Sequence, residues 1–144
     1  MKKELDYFTI EGCYGGNQDW FTNLVMHMGG CAAATACDSC IYFGLQNEKM
    51  KPLYPFDIEC LTKEDYKAFS QIMKPYLKPR AGGVRKPSWF VEGLGRYIQD
   101  VNEAEHTDIY IRMEEFCGDH TWQEAAIFIK EQLDQDIPVP YLLL

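Results

Sequence analysis

Apolar side chains recur at helical spacing in several stretches of this chain and alternate with polar ones in others. Tyr66, Phe69, Ile72, Met73, Tyr76 and Leu77 recur every three or four positions behind Thr62-Lys63-Glu64-Asp65. They predict a helix over residues 63–77, capped by Thr62 and frayed near its end by Pro75. Trp89, Leu94, Tyr97, Ile98 and Val101 predict a second helix over 89–101 with Ser88 as its cap, in which Gly93 and Gly95 either weaken the helix or mark close packing. Thr121-Trp122-Gln123-Glu124 matches a capping box, and the helix behind it carries a stripe of Trp122, Ala126, Ile129 and Leu133 expected to be buried. Residues 108–114 alternate apolar and polar, as a half-buried strand does, and residues 7–11 read as a short strand followed by a loop over 12–17.

A different pattern occupies residues 18–44. A short helix or irregular segment over 18–28 is stopped by Gly29-Gly30, and a run of small, good helix formers opens at Cys31-Ala32-Ala33-Ala34. The principal helix is predicted over 31–43, with Gly44 as its C-terminal glycine. At the other end of the chain, residues 137–144 look like the start of a buried strand with no polar end. Strand, helix and strand in that order predict a sheet whose remaining strands lie beyond Leu144 or in another chain. The sequence therefore reads as one α+β domain over 1–144, incomplete on its C-terminal side or in need of a partner.

Composition narrows the partners. Hydrophobic residues make up 47% of the 144 positions, which allows a real core and excludes a disordered chain. The net charge of −8 argues against nucleic acid or an anionic membrane as the main partner, since both need a cationic face. No apolar run approaches the length of a membrane span and Met1-Lys2-Lys3-Glu4-Leu5-Asp6 lacks the apolar centre of a signal peptide, so a cytoplasmic protein is expected. The six cysteines are expected to be reduced. Residues 78–87, the most basic stretch, read as a solvated connector in preference to a mobile, exposed loop near a binding cleft.

The candidate chemistry centres on Cys31. A thiol in the first turn of a helix faces unpaired backbone N–H groups and the positive end of the helix dipole, which favour a nucleophilic thiolate. The plainer reading is a small apolar residue at the start of a buried helix.

Gly-Gly-Cys opening an alanine-rich helix, an upstream glutamine, and the order helices, strand, capped helix, apolar strand resemble the papain-like cysteine peptidase superfamily. The likeness is greatest to its bacterial branch of double-glycine leader peptidases, where a Cys-Gly/Ala-x-Ala-like sequence begins the central helix, here Cys31-Ala32-Ala33-Ala34. The resemblance implies a papain-like fold, of which this chain holds the helical half and the first strands of the sheet. It also implies hydrolysis of a peptide or related amide bond through a thioester, with Cys31 as nucleophile and Gln18 as oxyanion donor, and with no metal or cofactor. Trp20 and Gly30 flank these residues and are assigned to substrate binding. The family places its histidine on a strand that follows 121–144, and an Asp or Asn after that. None of His27, His106 and His120 stands there; His27, four residues before Cys31, is the candidate base.

Two rivals stay open. One is a papain-like binding domain without catalysis, which uses its cleft or pairs with a second copy through an open strand edge at 137–144. The other is a thiolate metal site or redox couple at Cys37 and Cys40, for which a second ligand pair is missing from the sequence.

Overall fold

The alanine-rich run forms the axis of the molecule. In the computed structural model, which describes residues 2–141, it is helix α2, Cys31–Gln46. Ala33, Ala36, Cys37, Cys40, Ile41 and Tyr42 are all within 1% of full burial, so α2 is covered on most of its circumference. Small side chains make this feasible, because they let neighbours approach the helix backbone on several sides. Those neighbours are a 3-10 helix, Glu48–Leu53, and the helices α3, Lys63–Met73, and α4, Pro87–Glu105.

Two of the preceding elements are small. Strands β1, Thr9–Ile10, and β2, Cys13–Tyr14, form an antiparallel hairpin with Thr9 opposite Tyr14 and Ile10 opposite Cys13. Its two-residue turn places both Glu11 and Gly12 in the left-handed region, at φ 48° and 82°, as a type I′ hairpin requires. A 3-10 turn, Gln18–Trp20, leads to α1, Leu24–Gly29, capped by the Asn23 side chain, which accepts from the Met26 N–H at 3.1 Å. The fold is thus α+β, dominated by helix.

Several boundaries differ from expectation. Helix α2 runs through Gly44, which is buried in its last turn; a Cβ there would stand 2.7 Å from Ile58 Cδ1. This glycine makes room for a neighbour and does not end the helix. Helix α3 stops at Met73, since Pro75 has no N–H to continue the ladder, and Tyr76 and Leu77 follow as a turn, with the Leu77 side chain still buried. Pro87, not Ser88, opens α4: Lys86 before it is extended and Pro87 takes the first helical position, where its missing N–H is harmless. Helix α4 continues past Val101 to Glu105, and His106 closes it in the left-handed conformation at φ 53°.

The strand expected over 108–114 does not form. Its alternation is real: Ile109 is buried, Tyr110 and Arg112 are exposed, and Ile111 and Met113 are half-buried. The backbone of Ile109, however, is satisfied by a side chain. Asn102 Nδ2 donates to the Ile109 carbonyl at 2.9 Å, and the Ile109 N–H donates to Asn102 Oδ1 at 2.8 Å. One amide supplies what a neighbouring strand would.

Helix α5, Trp122–Asp134, keeps its capping box, with Glu124 N–H to Thr121 Oγ1 at 3.2 Å and Thr121 N–H to Glu124 Oε2 at 2.7 Å. The expected buried stripe is corrected: Trp122 is 76% exposed, Ile129 is exposed, and no residue of α5 is buried among the described residues. Its packing is local, through Phe116 stacked on Phe128 with ring centres 4.4 Å apart, and its end is tied back by Tyr42 Oη donating to the Asp136 carbonyl at 2.8 Å. Residues 137–141 form no strand, and Leu142, Leu143 and Leu144 of the expected terminal strand lie outside the described residues. No helix among the described residues is long and apolar enough to cross a membrane.

The two glycines of α4 behave differently. A Cβ at Gly93 would stand 2.5 Å from the Tyr76 carbonyl oxygen and 2.6 Å from Leu77 Cδ2, whereas one at Gly95 would meet nothing nearer than Met113 Cε at 3.8 Å. Gly93→Ala is expected to lower stability by about 1–3 kcal/mol through overpacking, despite the gain in helix propensity. Gly95→Ala is expected to raise it by up to about 1 kcal/mol. Urea denaturation of the two variants checks this, and equal shifts would contradict the packing described.

Candidate functional site

The break between α1 and α2 sets the position of Cys31. Gly30 is the N-cap of α2 with φ −90° and ψ 14°, a conformation open to any residue, so its need is for space. A Cβ on Gly30 would collide with the Met26 carbonyl of α1, and one on Gly29 would stand 2.7 Å from the carbonyl oxygen of Arg80. The glycine pair lets α1 turn directly into α2 while the loop after α3 crosses it.

Cys31 is then the first residue of α2 and is exposed to solvent. Its sulfur lies at the end of a 16-residue helix whose N-cap contributes no side-chain hydrogen bond. The first turn therefore keeps backbone N–H groups free of intrahelical partners. The crossing loop passes close: the Cβ direction of Gly83 points at Cys31 Sγ from 3.7 Å. Residues 78–87 are mostly exposed, as a solvated connector is, but the loop is pinned to the body at several points. The Gly83 N–H donates to the Arg80 carbonyl at 2.9 Å, Val84 and Leu77 are buried, and the Arg80 guanidinium lies 4.2 Å from the Trp89 ring centre. Val84, an apolar residue among the cations, was the available signal that this loop returns to the core.

The other residues singled out from the sequence are distributed around this point. Gln18 Nε2 donates to the His27 carbonyl at 2.6 Å, which brings Gln18 to the C-terminal turn of α1, just ahead of Cys31. This bond occupies one of the two amide protons and fixes the side chain. The His27 ring is on the exposed side of α1, and no hydrogen bond joins it to Cys31 among the described residues. Trp20 is half-buried, edge-on to Tyr66 at 5.7 Å and beneath Lys63 at 5.1 Å, which makes it a packing residue of α3. His106 caps α4, and His120 stacks on Phe116 at 3.9 Å with Nε2 3.0 Å from the Cys117 carbonyl.

Cys37 and Cys40 sit on the inner face of α2, and burial pushes both thiols well above their ordinary value. A free thiolate at either position is disfavoured. Among the described residues no group of three or more His, Cys, Asp or Glu side chains is arranged to hold a metal ion.

Asp38 lies between them on α2 and joins three distant parts of the chain. Its carboxylate accepts from Tyr7 Oη at 3.0 Å, Tyr66 Oη at 2.8 Å and the Gly16 N–H at 3.2 Å. Burial raises the Asp38 carboxyl above the ordinary carboxylate range, against the lowering effect of these three donors. Burial first, and the carboxylate second, raise both tyrosines, which stay neutral donors. Nothing in the sequence distinguished this aspartate from a solvated one; its partners lie 22 to 31 residues away.

No protein-family model, curated protein or solved structure matches the chain. The site is therefore defined by its own geometry.

The raised Asp38 carboxyl has a definite pH consequence. Folded protein binds the proton at higher pH than unfolded chain does, so this group adds stability as pH falls from the raised value toward the ordinary carboxylate range. Asp38→Asn is expected to lower stability by about 1–3 kcal/mol through its lost acceptor, with a deficit larger at about pH 4.5 than at about pH 7. Urea titrations at both pH values measure it; a deficit that shrinks in acid would contradict the assignment.

Proposed function

We propose that this chain belongs to a papain-like cysteine hydrolase and acts on peptide or related amide bonds through Cys31. The observation that carries the reading is the contrast among the three cysteines of α2. Cys37 and Cys40 are sealed in the core, while Cys31 stands at the helix start and is open to solvent. Oriented backbone N–H groups in a first helical turn favour sulfur anion and oxyanion alike.

In the reaction the thiolate sulfur adds to the amide carbonyl carbon. The C–N bond breaks as the amine takes a proton from an acid partner, and water then cleaves the C–S bond to release the acid and return the thiol. Gln18, immobilised at the end of α1, is the proposed side-chain donor to the oxyanion, using its second amide proton. The acid partner is an imidazole in enzymes of this kind; His27 is the nearest in sequence, and a histidine outside residues 1–144 or on a second chain would serve equally. The free state of all six cysteines fits a reducing, cytoplasmic setting.

Alkylation tests the nucleophile with internal controls, since Cys13, Cys60 and Cys117 are also exposed. Iodoacetamide at about pH 6 is expected to modify Cys31 at least about tenfold faster than those three, as an activated thiol requires. Cys37 and Cys40 should react only on unfolding. Equal rates at the four exposed cysteines, read by mass spectrometry of the digested protein, would overturn the proposal.

A further inference from the structure

The crossing loop brings more than backbone to the sulfur. Residues 78–86 carry Lys78, Arg80, Arg85 and Lys86 and no acidic residue, in a chain of net charge −8. Between this loop and α4 lies a cavity of about 90 Å³ bordered by Lys78, Arg80, Arg96, Glu92, Trp89 and Val84. Val84 borders the cavity and follows Gly83, whose Cβ direction faces Cys31 Sγ, so the loop that borders the cavity also passes the thiol.

Its cations are not neutralised. Among the described residues, ion pairs form at Lys2, Lys3, Lys51, Lys67, Arg112, His120 and Lys130. None forms at Lys78, Arg80, Arg85, Lys86 or Arg96, although Glu92 borders the same cavity. Two of these cations are held in place by other means. The Trp89 face supports the Arg80 guanidinium, and Arg96 donates to the Tyr76 carbonyl at 3.2 Å. A guanidinium fixed on an aromatic face keeps its in-plane N–H groups free for an anion, and it has already lost the rotamer freedom that binding would take away.

We infer that this cavity seats a carboxylate, the acidic side chain of a peptide substrate lying next to the bond that Cys31 attacks. The inference rests on the proposed cysteine-hydrolase reading for the identity of the ligand as a peptide. Peptides carry their negative charge as carboxylate, which matches the planar fork of Arg80. Glu92 offsets part of the positive field and so favours a single negative charge over a phosphate dianion. The acidic balance of the rest of the surface repels such a substrate elsewhere and leaves this loop as its landing place.

The test uses two reagents that differ in charge, iodoacetate and iodoacetamide, on the whole chain. The ratio of their rates at Cys31 is expected to exceed the ratio at Cys60 and Cys13 by about tenfold at low salt, a local-field effect. Arg80→Gln and, separately, Arg96→Gln should bring it down to the control ratio; both side chains are exposed, and circular dichroism verifies folding. A short capped peptide with one glutamate should slow the iodoacetate reaction, and its glutamine counterpart should not. Equal ratios at all exposed cysteines, or ratios unmoved by both variants, would overturn the inference. Protection by inorganic phosphate equal to that by the glutamate peptide would also overturn it, in favour of an inorganic anion site. The iodoacetamide rate alone judges Cys31 as a nucleophile, so the two readings fail separately.

Discussion

A carboxylate on the central helix draws three distant segments onto one face of the fold. Asp38 receives the Tyr7 hydroxyl from the N-terminal segment, the Gly16 N–H from the loop after the hairpin and the Tyr66 hydroxyl from α3. Charge-assisted bonds of this kind contribute roughly 1.5–3 kcal/mol each, while burying a carboxylate costs several kcal/mol, so the cluster gains little net stability. Its effect is on arrangement. An apolar residue at position 38 would leave the Tyr7 hydroxyl and the Gly16 N–H without this acceptor and the Tyr66 hydroxyl with the Ala34 carbonyl alone, at 3.2 Å. The aromatic layer grows from the same tether: Tyr66 carries Phe21 stacked at 6.0 Å and Trp20 edge-on, which closes the N-terminal side of α2.

On the opposite side the constraint is steric. Gly29 and Gly30 remove the side chains that would hold α1, α2 and the Arg80 loop apart. The Leu53 carbonyl accepts from Tyr97 Oη at 2.8 Å, and the ring sequence Tyr54, Phe69, Tyr97 runs from the 3-10 segment through α3 into α4. Helix α4 is thereby fixed against the core, and with it the Trp89 face on which Arg80 rests.

The helices were legible because their signals are local. Thr62 before α3, the Thr121–Glu124 box before α5 and the Gly-Gly-Cys opening of α2 each stood within a few residues of the feature they announced. Cys31 at a helix start was readable for the same reason. What failed depended on distant partners. Gly44 looks like a helix stop until Ile58 is seen against it, the alternation at 109–113 looks like a strand until Asn102 is seen serving Ile109, and Trp122 looks like core until α5 is found standing off from the body. Asp38 and the Arg80–Trp89 pair were illegible because each joins residues whose separation in the chain leaves no periodic trace.

Arg80 meets its surroundings twice, and the two meetings are chemically independent. Its main chain wedges against Gly29 and accepts from Gly83, and that wedge would persist with any other residue in its place; its guanidinium alone meets Trp89. Loop path and loop charge are therefore inherited separately. A lineage can exchange one side chain at this position and change what the cleft admits, while the trace that frames the sulfur stays as it was.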